Sequence, residues 1–219
     1  MAPEDSFGGL TLNEFVDRLA SAEPVPGGGS ASAVAGALAA SLLAMVCRLS
    51  LDRPKYEQFR DTNRTALDTA ERARHRLVEL ADEDAAAYAG FVEARKLPKE
   101  TAEEQTARDT AVHRAARQST EAPLAVVREC ARLMEAIGSV AGRSNLNAAS
   151  DLEVAARLCA AAARGAGANV LINLPMVGDA RFVGGSTAEL EGFLHTMERE
   201  VLQISQRVTR GTLRSPERT

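Results

Sequence analysis

The stretch PVPGGGSASAVAGALAASLLAMVCRLS, residues 24 to 50, decides the fold. Three consecutive glycines precede a run in which almost no side chain is larger than leucine. A helix that is apolar on every side is typical of the buried centre of a soluble protein. The glycines are compatible with three roles: a hinge, the start of a membrane anchor, or a loop whose backbone a ligand approaches closely.

Composition narrows the classes of protein. The apolar run is interrupted by Ser30, Ser32, Gly36 and Ser41, and alanine contributes little transfer free energy, so we expect no membrane insertion. The formal net charge of -4 argues against a general nucleic-acid-binding protein. Apolar residues make up 45% of the chain and aromatic residues only 4%. These values predict a core of alanine and leucine with closely packed helices.

The cysteines and the first residues indicate where the protein works. Cys47, Cys130 and Cys159 are scattered, form no CxxC pair and lie in apolar or helical contexts, so we expect buried thiols and a reducing compartment. The sequence MAPEDSFGGL at the start is acidic and lacks the apolar segment of a secretory signal. We therefore expect a cytoplasmic protein.

Nearly the whole chain has a helical pattern, and no alternation typical of strands persists. Capping-box signatures predict three helix starts, at Thr11 with Glu14, Thr101 with Glu104, and Ser186 with Glu189. Ser30 is the predicted N-cap of the central helix. Pro123 predicts a kink or break near residues 121 and 122, and residues 175 to 185 are predicted to be irregular. The predicted helices cover residues 12 to 23, 30 to 50, 56 to 96, 101 to 137, 148 to 171 and 186 to 209.

These helices predict an all-α bundle forming one domain over residues 1 to 219, with a core from about 10 to 209 and a frayed C-terminal tail. A helix of about forty residues is about 60 Å long. This length exceeds the diameter of a compact monomer of this size, so we expect packing against a second subunit.

One carboxylate interrupts an apolar stripe. The spacing of Leu77, Leu80, Asp84, Tyr88 and Phe91 places them on one helix face. A carboxylate on such a face is either poised with a raised pKa, as in a general acid or base, or is a structural group bonded to a buried helix end. The sequence alone leaves both interpretations of Asp84 open.

Lysines and amides supply further candidates. Only Lys55, Lys96 and Lys99 are lysines among 26 basic residues, and a compact ammonium suits contact with a carboxylate. Near the start of the fifth predicted helix, capping explains one or two of Asn145, Asn147, Ser150 and Asp151, but not all four. Asn169 and Asn173 lie four residues apart on an otherwise apolar face, where amides can recognise the edge of a heterocycle.

The sequence lacks the motifs of several common kinds of site. The histidines, His75, His113 and His195, are isolated, so we expect no histidine-based metal site. The chain has no phosphate-binding GxxxxGK[ST] loop, and the glycine run lacks the strand that precedes a dinucleotide site. No GxSxG motif or Cys/His pairing indicates a covalent nucleophile.

Five blocks in fixed order resemble the cyclodeaminase/cyclohydrolase family: PVPGGGSASAVAGALAASLLAMV, PKY, LADEDAAAY followed by KLPK, NLNAASDLEVAA and NVLINLP. That family comprises the C-terminal domain of formimidoyltransferase-cyclodeaminase and stand-alone methenyltetrahydrofolate cyclohydrolases. The resemblance covers about residues 10 to 205. It implies an all-α homodimer, possibly a higher oligomer, that acts on a one-carbon tetrahydrofolate without a metal or redox cofactor.

The resemblance also implies roles for residues. The family's catalytic aspartate corresponds to Asp84, and Lys55 is expected as a nearby charge. Lys96 and Lys99 are candidates for holding the glutamate tail of the folate. The other expected substrate contacts are Gly27, Gly28, Gly29, Ser30, Tyr88, Asn145, Asn147, Asp151 and Asn173.

Three functions remain open at this point. We favour the cyclohydrolase, which converts 5,10-methenyltetrahydrofolate and water to 10-formyltetrahydrofolate, because the transferase half of the bifunctional enzyme is absent. The alternative is the cyclodeaminase, which forms 5,10-methenyltetrahydrofolate and ammonia from 5-formimidoyltetrahydrofolate. An alternative of another class is a helical dimeric folate-binding or scaffold protein without catalysis.

Overall fold

A computed structural model describes residues 6–214 of the chain. Within these residues the regular structure is α-helix and short 3-10 helix, as the all-α prediction requires. The 3-10 segments are Phe7–Gly9, Pro54–Phe59, Leu146–Ala148 and Leu174–Met176. The α-helices are α1 (Leu12–Leu19), α2 (Gly28–Leu51), α3 (Arg60–Lys96), α4 (Ala102–Val140), α5 (Ala149–Asn173) and α6 (Ala180–Arg210).

Two of the three predicted capping boxes are confirmed. The backbone N–H of Glu14 donates to Thr11 Oγ1 at 3.3 Å, and that of Glu104 donates to Thr101 Oγ1 at 3.1 Å. The third prediction is wrong. Ser186 lies inside α6, which Asp179 caps by accepting hydrogen bonds from two backbone N–H groups of the first turn.

Three other boundary predictions fail at least in part. Helix α2 begins at Gly28 with Gly27 at the N-cap, so Ser30 lies in its first turn, where its hydroxyl bonds to α3. Of the kink or break predicted at Pro123, the break is wrong: helix α4 passes through Pro123 without ending, with buried residues on both sides of the proline. The segment predicted to be irregular is helical from Ala180. Most of the tail predicted to fray, residues 215–219, lies outside the described residues.

Helix α2 is the centre of the bundle. It packs between α3 and α5, while α4 lies behind all three, and α6 covers α4 and α5. Helices α2 and α5 are antiparallel, since Gly28 lies beside Asn169 at one end and Asn145, just before α5, donates its N–H to Ser50 Oγ at 2.8 Å at the other. The N-terminus of α2 and the C-terminus of α5 therefore meet at one end of the molecule.

Small residues allow the helices to approach closely, as the composition predicts. A Cβ on Gly36 would lie 3.2 Å from Leu77 on α3 and 3.3 Å from Cys130 on α4. All three cysteines are free and buried. Among residues 6–214, α2 is the one helix long and apolar enough to cross a bilayer, although half of its most apolar window is buried inside the protein.

Replacement of Leu77 with alanine tests this packing. Leu77 is fully buried against Gly36, and a truncated leucine in such a core lowers the free energy of unfolding by about 2–5 kcal/mol. Urea denaturation measures this change, with Leu97→Ala at a 41% exposed position as the control. Equal stability of the two variants would contradict the packing described.

Candidate active site

Asp84 lies against the glycine-rich start of α2. A Cβ added to Gly29 would overlap the Asp84 carboxylate, so only glycine lets the acid lie against the backbone here. Ser30 Oγ lies 3.2 Å from Asp84 Oδ2 and 3.0 Å from the carbonyl oxygen of Ala81. The tertiary contact between α2 and α3 therefore holds the carboxylate in place.

The environment of Asp84 shifts its proton affinity. Burial raises the pKa of the Asp84 carboxyl above its ordinary value, while hydrogen bonds from the Ser30 hydroxyl and backbone N–H oppose this rise. No basic side chain among residues 6–214 forms an ion pair with it. A half-buried carboxylate without a counter-ion is suited to take up and release a proton.

Ser30 can form a hydrogen bond with Asp84 in both protonation states of the carboxyl group. Its single hydroxyl proton goes to one acceptor at a time. When it goes to Asp84 Oδ2, it stabilises the carboxylate. When it goes to Ala81, the serine oxygen can instead accept a hydrogen bond from the protonated carboxyl. Ser30 is fully buried, so it acts through Asp84 as a positioning residue rather than as a substrate contact.

A cleft of about 330 Å³ opens beside Asp84. Asp84 is the single charged residue in its lining. The two aromatic rings of Tyr88 and Phe91 offer flat apolar surfaces. The remaining lining residues are Pro24, Val25, Gly27, Gly28, Gly29, Ser119, Asn169, Ile172, Asn173 and Met176.

Two amides face this cleft with their oxygens available. Asn173 Nδ2 donates to the carbonyl of Ser119 at 2.7 Å, and Asn169 Nδ2 donates to that of Gly165 at 2.9 Å. The Ser119 carbonyl is free for this bond because Pro123, four residues later, has no N–H to donate to it. Both amides thus leave Oδ1 as an acceptor. The proline that seemed to break α4 instead creates a bonding group for the site.

The two lysines predicted near the junction of α3 and α4 lie outside the cleft. Lys96 is exposed, and its Nζ bonds to Glu93 at 2.6 Å. With Arg95 it lines a neighbouring cavity of about 310 Å³ that shares Tyr88 and Phe91 with the cleft. Lys99 is exposed in the connection after α3 and lines neither cavity.

The remaining predicted residues lie at the opposite end of α2. Helix α2 is about 35 Å long, so Lys55, Asn147 and Asp151 cannot reach the Asp84 of the same chain. Asn145 is buried, and its backbone and side chain bond to Ser50 and Leu49, with its Oδ1 also 3.4 Å from the Tyr56 hydroxyl. Its contacts are structural. Lys55 and Asn147 are exposed.

Several lining residues have no recognisable signal in the sequence. Ser119 and Met176 stand in segments without any motif, although Pro123 indicates a free carbonyl at position 119. A larger groove of about 610 Å³ lies between α3, α4 and α6. Charged side chains that line this groove form ion pairs; Arg128, for example, donates two hydrogen bonds to the carboxylate of Glu189. We therefore place the site at the Asp84 cleft.

The fold and cleft define a class of helical enzyme in which a half-buried acid faces a glycine-rich helix start. The chain belongs to the formiminotransferase-cyclodeaminase family, whose model matches residues 11–192. It is 36% identical over 187 residues to the methenyltetrahydrofolate cyclohydrolase of Methylorubrum extorquens, covering 85% of this chain and 90% of that protein.

Bifunctional relatives match over part of their length. The formimidoyltransferase-cyclodeaminase of Mus musculus is 37% identical over 78% of this chain but only 32% of its own length. The crystal structure of a formiminotetrahydrofolate cyclodeaminase from Thermotoga maritima superposes with a TM-score of 0.76 at 29% identity, covering 93% of this chain and 96% of that one. The resemblance found in the sequence is thereby confirmed.

Proposed function

We propose that the chain is a methenyltetrahydrofolate cyclohydrolase, with Asp84 as its proton shuttle. The observation that carries this proposal is the half-buried carboxylate without a counter-ion, with a raised pKa, on the wall of a cleft sized for a heterocycle. The similarity to the Methylorubrum extorquens cyclohydrolase over nearly both chains supports it.

In the first step, water attacks the methenyl carbon, which bears the positive charge of an amidinium. The Asp84 carboxylate accepts one proton from this water while its negative charge stabilises the cation. A C–O bond forms, and the methenyl carbon becomes a tetrahedral carbinolamine. Proton transfer of this kind contributes about 10² to 10⁴ in rate.

In the second step, the bond between this carbon and N5 breaks. Asp84 returns its proton to N5, and the new hydroxyl releases its proton to water as the formyl C=O forms. The net reaction consumes one water and releases one proton. Both steps use the side chain of Asp84, and we propose that the reaction needs no metal or redox cofactor.

The lining of the cleft suits a pterin. Its flat ring can stack on Tyr88 and Phe91. The free Oδ1 atoms of Asn169 and Asn173 can accept hydrogen bonds from the amino and N–H groups of the pyrimidine edge. Gly28 and Gly29 leave the backbone open to close approach. Beyond Tyr88, Arg95 and Lys96 offer cations to the glutamate carboxylates.

A second candidate function is the cyclodeaminase, because the Thermotoga maritima structure and the bifunctional relatives bear that name. Here N10 attacks the formimino carbon and Asp84 protonates the departing ammonia. Purified enzyme is incubated with each substrate. Loss of methenyl absorbance faster than the uncatalysed rate supports the cyclohydrolase, and release of ammonia supports the cyclodeaminase. If the enzyme gives neither signal, both functions are contradicted.

Replacement of Ser30 with alanine tests the positioning of Asp84. The Ser30 hydroxyl lowers the pKa of Asp84, so its loss should move the acidic limb of the kcat/KM profile to higher pH. Ser41→Ala is the matched control, because Ser41 bonds only to a carbonyl of its own helix. An unchanged limb in Ser30→Ala would show that Ser30 does not set the protonation of Asp84.

We further propose that the enzyme works as a homodimer. The support within the chain is the length of α3 and α4 and an uncovered apolar face on α2 and α5, where Leu38 is 52% and Ile172 70% exposed.

A further inference from the structure

Ser119 joins three helices at the edge of the Asp84 cleft. Its hydroxyl donates to the carbonyl of Ala87 on α3 at 3.1 Å. Its own carbonyl accepts a hydrogen bond from Nδ2 of Asn173, the last residue of α5, at 2.7 Å. Ser119 is buried, and both it and Asn173 line the cleft. The orientation of the Asn173 side chain therefore depends on a carbonyl of α4.

The Ser119 carbonyl is available because α4 contains Pro123. In a regular helix this carbonyl would accept the backbone N–H of the residue four positions later, and proline has no such group. Proline is the least favourable residue inside a helix, yet Pro123 is buried within a helix of 39 residues that continues on both sides of it. No local property of α4 favours a proline here, whereas a residue of the cleft uses the freed carbonyl.

The freed carbonyl decides which way the Asn173 amide faces. A carbonyl oxygen only accepts hydrogen bonds, so the amide must turn its NH2 group toward Ser119, and Oδ1 then faces away from it. With any other residue at position 123, a backbone N–H of α4 would compete for the same carbonyl. The Asn173 amide would then lose its anchor and could turn either its oxygen or its nitrogen toward a ligand.

The second amide of the cleft is anchored in a different way. Asn169 Nδ2 donates to the carbonyl of Gly165, one turn earlier in its own helix, so its orientation does not depend on α4. Both amides nevertheless leave Oδ1 as an acceptor. Two such acceptors are complementary to an edge that carries two donors, such as the ring N–H and the amino group of a 2-amino-4-oxopyrimidine.

We propose that Pro123 is a positioning residue for the reaction: by freeing the Ser119 carbonyl, it fixes Asn173 Oδ1 as the acceptor for a donor on the pyrimidine edge of the folate. Pro123 is not part of the lining of the cleft, so it acts through Asn173. The orientation of the amide follows from contacts within the chain, whereas its role toward a folate rests on the proposed function.

Replacement of Pro123 with alanine tests this role by restoring a backbone N–H to α4. KM for methenyltetrahydrofolate should rise about 5- to 10-fold, the loss of one hydrogen bond. The value of kcat should stay within about two-fold, because Asn173 binds the substrate and the transition state alike. The thermal unfolding temperature should not fall, since alanine suits a helix interior better than proline. Pro98→Ala, at an exposed position between α3 and α4, is the matched control and should change neither constant.

A double-mutant cycle shows whether Pro123 acts through Asn173. Asn173→Ala alone should raise KM about 10-fold. Adding Pro123→Ala to it should raise KM no further, because the amide that the proline orients is gone. If the two increases multiply in the double variant, Pro123 acts on another group. If Pro123→Ala keeps the wild-type KM, the proline is merely structural. Either result overturns the proposal.

Nuclear magnetic resonance of the 15N-labelled protein tests the anchor without any folate. The side-chain NH2 protons of Asn173 should exchange with water more rapidly in Pro123→Ala than in the wild type. Those of Asn169 should not change, because their acceptor lies in the same helix. Equal exchange at Asn173 in both proteins would refute the proposal. A wild-type enzyme inactive on both folates would instead refute the proposed function, and the faster exchange at Asn173 would still show that Pro123 anchors the amide.

Discussion

Replacement of Asp84 with asparagine should lower kcat for methenyltetrahydrofolate hydrolysis by about 10²- to 10⁴-fold. Asparagine keeps the shape of the side chain and can still accept the hydrogen bond from Ser30, but it cannot carry a proton between water and N5. Stopped-flow loss of methenyl absorbance measures the effect. Glu83→Gln is the control, since it removes an exposed carboxylate from the adjacent position.

The same replacement should not destabilise the fold. Because the pKa of Asp84 is raised in the folded chain, the folded state binds a proton more tightly than the unfolded state. Stability therefore falls as pH rises through the range between the two pKa values. Above that range, asparagine removes the burial cost of the charge, so the free energy of unfolding should rise. If Asp84→Asn stays fully active with an intact fold, Asp84 is a structural group and not the proton shuttle.

Replacement of Gly29 with alanine should lower kcat by about 10²-fold or more while lowering stability only modestly. The added Cβ would overlap the Asp84 carboxylate. This carboxylate is the end of a side chain and can rotate away, so the fold survives while the proton shuttle is displaced. A displacement of about 1 Å in a reacting group costs about 10²-fold. Activity assays measure the loss of kcat, and thermal unfolding measures the change in stability.

Gly90→Ala on α3 is the matched control, because nothing lies within 4 Å of a Cβ there. It should keep full activity and gain about 0.5–1 kcal/mol of stability, since alanine favours a helix interior. If Gly29→Ala retains wild-type kcat, the close contact between Asp84 and the start of α2 has no part in catalysis.

The sequence predicts those features of the fold that depend on local chemistry. The capping boxes at Thr11 and Thr101 form because the side chains involved need to reach only the first turn of the helix that they cap. Asp84 could be identified because one acid in an apolar helical stripe needs an explanation beyond solubility. The interpretation of Asp84 as a structural group remains partly valid, since Ser30 bonds to it.

Predictions failed where tertiary contacts override a local pattern. Ser186 and Glu189 have the spacing of a capping box, but Glu189 instead bonds to Arg128 of α4 and Ser186 is buried within α6. Pro123 breaks a hydrogen bond of α4, yet Asn173 supplies a replacement donor to the freed carbonyl. No local pattern reveals either partner.

The position of Lys55 shows a different limit. Residues close in sequence to the end of a long helix are far from its beginning, so a cluster of polar residues need not belong to one site. Within one chain, α2 separates Lys55 from Asp84 by about its full length, about 35 Å. Lys55 and Asp84 of the same chain therefore do not share a site.

The pH dependence of kcat/KM, measured in parallel for the wild type and Asp84→Asn, tests the central claim most directly. We predict that the wild type shows an acidic limb whose apparent pKa lies above the ordinary aspartate value of 3.8. This limb should be absent from the residual activity of Asp84→Asn. The same limb in both proteins would show that another group carries the proton and would contradict the account.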